Sequence, residues 1–181
     1  MTSANFLRYA GWATMLSAMT SLLTVITGIL MFTVSPFFGG FSDVFSVLTV
    51  GFMIPVALAL HFLLRSQAPT LSLAAAVIGV LSMLLIGMLK ALLVASALTY
   101  GQISLADIAT SAGIGVWLLL ANYAALRGKV FPRGLAWAGL IAGGGFLVIV
   151  LGFLIYPVWA IWLRHWLLAK RYGEFQVARL G

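Results

Sequence analysis

Lys90 is the residue whose position most invites chemistry. It carries the only charge in Thr70–Thr99, TLSLAAAVIGVLSMLLIGMLKALLVASALT, which also lacks proline. An ammonium at membrane depth costs a few kcal/mol on insertion scales, so it calls for a partner or a wet cavity. Read as one helix, the stretch puts Lys90 about 8 Å from its middle and about 13 Å from its outer end. Asp107 and Asp43 are predicted on the same side and are the partners expected for it. A site of this kind suits an ion or proton pathway, or an anion site. A snorkelled or structurally paired lysine, or one touching another subunit, is the plainer reading.

His61 is the second candidate. A lone imidazole ligates haem or the magnesium of a chlorophyll-type pigment. Bis-histidine haem needs two facing ligands at similar depth, and His165 is predicted near the opposite membrane face. Pigment ligation by His61 alone stays open. Arg65 lies four residues on, on the same helical face, and a structural histidine hydrogen-bonded beside it is the favoured reading. With Asn122 on the same predicted side, these residues outline a small polar vestibule, which Arg127, Lys129 and Arg133 would make attractive to anions or lipid head groups. Interhelical hydrogen bonds and ordinary positive-inside charge account for the same residues.

Nothing in the chain has the spacing of a hydrolase or nucleotide site. GxSxG, HExxH and Walker A patterns are absent, as is a pair of intramembrane carboxylates. Gly113-Ile114-Gly115 lacks the strand–turn–helix setting of a dinucleotide fingerprint. Two histidines and three acids, widely dispersed, leave few groups for general acid–base work. The chain therefore reads as non-enzymatic, without a metal site, and with lipid as its expected ligand.

The elements that position these residues follow from composition. Of 181 residues, 64% are apolar and 7% charged, and the mean hydropathy is +1.17. Soluble domains carry about 25% charged residues. Three acidic and ten basic side chains cannot cover a globule in water, so lipid must be the solvent for most of the surface. The net charge of +7 sits singly or in short clusters between apolar runs, a pattern of topology and of anionic lipid contact, with no long patch for nucleic acid. With no cysteine there is no disulfide, thiolate nucleophile or cysteine-ligated cluster.

The expected fold is all-α: a polytopic bundle of about five spans, near 6–34, 44–65, 70–99, 105–126 and 135–156, followed by a basic, Trp-rich tail over 157–181. The first run is too long for a signal-peptide core and reads as an uncleaved span. Ser42 is the expected cap of the second helix, with Asp43 in its first turn, and Pro55 should kink it. Ser104-Leu105-Ala106-Asp107 fits a capping box for the fourth. Pro157 should end the fifth. Trp159, Trp162 and Trp166 share a helical face, which suits a helix lying in the interface plane; a helix continuing beyond the membrane is the alternative. Small-residue pairs, Ala75/Gly79, Ser111/Gly115 and Gly139/Gly143, mark faces for close helix packing within the chain or against a partner.

With a cytoplasmic N-terminus, Arg8, Arg65, Arg127, Lys129 and Arg133 fall inside, and Asp43, Asp107 and Glu174 outside. Five spans then place Arg164, Lys170, Arg171 and Arg179 outside as well, against the positive-inside bias. The Arg8/Gly11 start, Gly115-Val116-Trp117-Leu118-Leu119 and Phe131-Pro132-Arg133-Gly134-Leu135-Ala136-Trp137 resemble segments of small bacterial multi-span membrane proteins of no assigned activity. That resemblance implies an architecture and supplies no activity; the expected location is a bacterial plasma (inner) membrane. The leading functional expectation is an accessory or assembly subunit of a larger complex, beside other membrane subunits or as a homo-oligomer. The alternatives are a small transporter or channel using Lys90 and the His61/Asn122 cluster, or a cofactor site at His61.

Overall fold

A computed structural model describes residues 3–148 and 150–180, with side chains described over 5–148 and 151–169. The described residues are helical apart from short connections: α1 (Ser3–Thr33), α2 (Phe38–Leu64), α3 (Pro69–Val94), α4 (Tyr100–Arg127), α5 (Arg133–Phe146) and α6 (Val150–Leu180). Each helix packs on its neighbours in chain order, and α6 closes the ring against α1. Five helices are long and apolar enough to cross a membrane: α1 to α4, and residues 151–169 of α6.

The helix ends explain several departures from the expected boundaries. α3 stops at Val94 because Ser96 adopts φ 58°. The amides of Ser96 and Ala97 then turn back to the carbonyls of Leu93 and Leu92, both at 2.9 Å, as in a Schellman motif. Lys129, at φ 52°, ends α4 in the same way, with Val130 N–H on Ala125 O at 3.0 Å. The cap of α4 is Thr99 rather than Ser104: Gln102 Oε1 accepts the Thr99 N–H at 2.8 Å. Asp107 is thereby released from any capping role. Likewise α2 starts at Phe38, ahead of Ser42, whose hydroxyl instead donates to Thr24 O at 3.1 Å. α2 runs on through Pro55.

The last third differs most from expectation. Residues 135–156 are not one span. α5 ends at Phe146, and α6 begins at Val150 and continues through Pro157, which does not terminate it. Glycine makes the reversal feasible: a Cβ on Gly145 would stand 3.1 Å from the Gly152 amide, and one on Gly152 would stand 2.6 Å from Phe146 Cα. Only hydrogen-sized groups allow these backbones to come so close. The 14 residues of α5 give it a length of about 21 Å, short of a hydrocarbon core of about 30 Å. Phe153 O accepts from Ser21 on α1, and Phe146 and Leu147 lie against Gly115 on α4, so the turn stops short of the Thr33 end of α1 and the Tyr100 end of α4. Leu147 and Val148 donate to Gly144 and Gly145 carbonyls at 3.1 and 3.0 Å, which meets the requirement that backbone groups in lipid be paired internally.

This hairpin also changes the sidedness. α6 runs back alongside α1, with Leu168 against Gly11 and the Arg164 guanidinium 5.3 Å from the Trp12 ring. The first turns of α1 and the Arg164–Leu168 part of α6 therefore lie at the same end of the bundle, contrary to the expected placement of Arg164 on the opposite side. Arg8, Arg65, Arg127, Lys129, Arg133 and Arg164 gather there, on what we term the basic face. Asp43, Lys90 and Asp107 lie toward the other end, the acidic face. The side chains of Lys170, Arg171, Glu174 and Arg179 lie outside the described residues.

The interior is closed by large side chains. Trp117, Trp159, Tyr156, Phe146, Met53 and Leu60 are fully buried, and the Trp117 and Trp159 rings meet edge to face at 6.5 Å. The three tryptophans of α6 are thus not equivalent, since Trp159 is a core residue while Trp162 is exposed. Packing of α6 against α1 and α5 overrides the interfacial placement of this part of the tail.

Candidate functional site

Lys90 is held by three helices at the acidic face. Its Nζ lies 3.0 Å from Asp107 Oδ2 on α4 and 3.4 Å from Asp43 Oδ1 on α2. The hydroxyl of Tyr100, from the first turn of α4, donates to Asp43 Oδ2. Tyr100 also places its ring 5.8 Å from the ammonium. The side chains are largely shielded, with 12% of Lys90, 7% of Asp43 and 27% of Asp107 exposed. Asp107 Oδ1 is buried without a hydrogen-bond partner. Because α3 ends at Val94, Lys90 sits about 6 Å from the helix end, nearer the surface than a span reaching Thr99 would put it. A cleft of about 470 Å³ opens beside it, lined by Asp43, Tyr100, Ser96 and Thr99.

Ionised, the cluster contains two carboxylates and one ammonium. Attraction through a partly desolvated medium ties α2, α3 and α4 together at one end. Among the described residues, both ion pairs belong to Lys90. Tyr100 was not singled out from sequence, since an aromatic at a helix start reads as an interface anchor.

The residues of the predicted vestibule go to separate places. Asn122 is fully buried: its amide donates to Leu118 O at 2.8 Å, and its oxygen accepts from Trp159 Nε1 at 3.2 Å. Arg65 stacks its guanidinium 4.3 Å from the Phe62 ring, and only its backbone N–H meets His61, at the His61 carbonyl. His61 Nδ1 is buried with no hydrogen-bond partner, which departs from the expectation of an imidazole bonded beside Arg65. His61 and His165 lie toward the same face rather than opposite ones, because the hairpin reverses α6; α1 stands between their helices. Among the described residues, no group of three His, Asp or Glu side chains is placed to hold a metal ion.

The small-residue faces are taken up within the chain. A Cβ on Gly79 would meet the Trp117 ring at 2.5 Å, and one on Gly113 would run into Ser82. A Cβ on Gly143 would stand 2.9 Å from Gly115 O, and one on Gly139 would run into the Asn122 amide. Ala75 and Ser111 are buried beside them.

A second polar feature is a stripe of hydroxyls on α1: Thr14, Ser17, Thr20, Ser21, Thr24 and Thr27, all buried. Ser17 pairs with the Tyr156 hydroxyl at 2.8 Å, Ser21 donates to Phe153 O at 3.1 Å, and Thr49 donates to Thr20 at 2.9 Å. Side-chain bonds of this kind join helices where the hydrophobic effect cannot. Their three- and four-residue spacing is plain in the sequence, and hydroxyls scattered through an apolar run are easily passed over.

Comparison with protein-family models, with curated proteins and with solved structures finds no match to this chain.

Proposed function

We propose that this integral membrane protein is non-catalytic and acts through its surface, as an accessory or assembly subunit of a larger complex in a bacterial plasma membrane. The observation that carries this reading is how the interior polar groups are used. Lys90 is bound by Asp43 and Asp107, Asn122 by Trp159 and Leu118, and Ser17 by Tyr156. The centre of the helix ring is filled by Trp117, Trp159 and Tyr156. What the chain offers to its surroundings is a broad apolar exterior and one cationic face. The positive-inside bias assigns that face to the cytoplasm.

Purification of the tagged full chain in a mild detergent tests the reading. Other membrane proteins should copurify in fixed proportion. A monodisperse, partner-free preparation that moves a substrate across liposome membranes would overturn it.

The cleft beside Asp43 and Tyr100 favours a second reading, a small transporter loading from the acidic face. In that case Lys90→Met abolishes flux in liposomes while leaving expression intact; unchanged flux removes the transporter reading.

A further inference from the structure

We infer that the basic face contains a discrete site for the phosphate head group of an anionic phospholipid, between the α2–α3 and α4–α5 connections. A cavity of about 410 Å³ lies there, lined by Gln67 and Thr70 on one side and by Arg127 and Gly128 on the other. Its walls are fixed by close packing, since a Cβ on Gly128 would come within 3.0 Å of Gln67 Cβ. Arg127 is exposed at the end of α4 and has no carboxylate partner among the described residues.

Charge complementarity selects the occupant. Asp43 and Asp107 are at the far end of the bundle, bound to Lys90, so the cations of the basic face must find their anions outside the described chain. Head-group phosphates stand at that depth beside every span end, and basic recesses between helices are where such lipids settle. The guanidinium offers a paired donor geometry that suits phosphate oxygens, and Gln67 and Thr70 add neutral donors. The first turn of α3, which no side chain caps, also lines the recess and contributes its positive dipole end. The site deepens the surface reading by making lipid one of the partners. It does not require a protein partner, so the copurification test and this one fail separately.

The experiment adds phosphatidylglycerol or phosphatidylcholine to the purified full chain in detergent and counts retained lipid by native mass spectrometry. Phosphatidylglycerol should be retained about fivefold over phosphatidylcholine, the preference one surface cation supplies. Arg127→Gln should abolish the preference, whereas Arg8→Gln, an equal charge loss on the same face outside the cavity, should leave it. Equal losses in the two variants would overturn the site in favour of a diffuse cationic belt. So would equal retention of the two lipids, or displacement of phosphatidylglycerol by inorganic phosphate, which would make it a site for the free anion. Should Arg127→Gln fail to fold, Thr70→Glu puts a carboxylate into the same recess: lost preference supports the site, and retained preference overturns it.

Discussion

Lys90→Met is the substitution that most directly tests how the acidic face is held. It leaves Asp43 and Asp107 facing each other without their ammonium, in surroundings where only 7% and 27% of their side chains meet solvent. At an effective dielectric near 20, unit charges at 3.0 and 3.4 Å attract by about 5 kcal/mol each, before desolvation and carboxylate repulsion are subtracted. Removing one partner of a shielded pair costs about 3–5 kcal/mol in practice. The partial exposure of Asp107 argues for the lower end. For a chain of this size that corresponds to a fall of about 6–12 °C in melting temperature. The companion variant Asp43→Asn/Lys90→Met/Asp107→Asn removes every charge together and should recover most of the loss, because uncharged groups carry little desolvation cost. Thermal unfolding of both in lipid nanodiscs decides the matter. A Lys90→Met protein that melts with the parent refutes the clamp, and so does a triple variant as unstable as the single one.

Four further outcomes follow from the geometry. The natural chain has no cysteine, so single introduced thiols report sidedness cleanly. Ser66→Cys and Ala169→Cys should label from one side of the membrane and Ala97→Cys from the other, and labelling of positions 169 and 97 together would refute the hairpin. Gly139→Ala should destabilise by about 1–3 kcal/mol by driving a methyl into the Asn122 amide, while Gly144→Ala, with nothing within 4 Å of its Cβ, should be tolerated in the same unfolding assay. Asn122→Leu should cost about 1–3 kcal/mol by stranding the buried Trp159 N–H, visible as a lower unfolding midpoint and altered tryptophan fluorescence. Gly152→Leu should prevent α5 and α6 from closing, read as loss of a monodisperse species.

The spans were legible because hydrophobic length is a strong signal, and α2, α3 and α4 lie close to their expected ranges. The hairpin was not, since Gly143-Gly144-Gly145 reads equally as a packing face or as a place to turn. A turn inside lipid carries none of the polar residues that mark one in water. Missing it placed the tail, and with it Arg164 and His165, on the opposite side. The end of α3 was overrun for a similar reason: Ser96 supplies a left-handed residue usually signalled by glycine. At the site, Asp43 and Asp107 could be named from charge scarcity alone. Tyr100 required knowledge of which helices face each other, whereas the α1 hydroxyls showed their helical spacing in the sequence and only their partners needed the fold. The vestibule failed because sharing a predicted side says nothing about sharing an interface.

The short reach of α5 and α6 gives the molecule unequal halves. Beyond the α5–α6 turn only α1 to α4 continue toward the acidic face, so six helices pack near the basic face and four near the acidic one. Such a body is a wedge: it takes up more area in one monolayer than in its neighbour, and a sheet of lipid relieves that imbalance by bending until the crowded leaflet lies on the convex side.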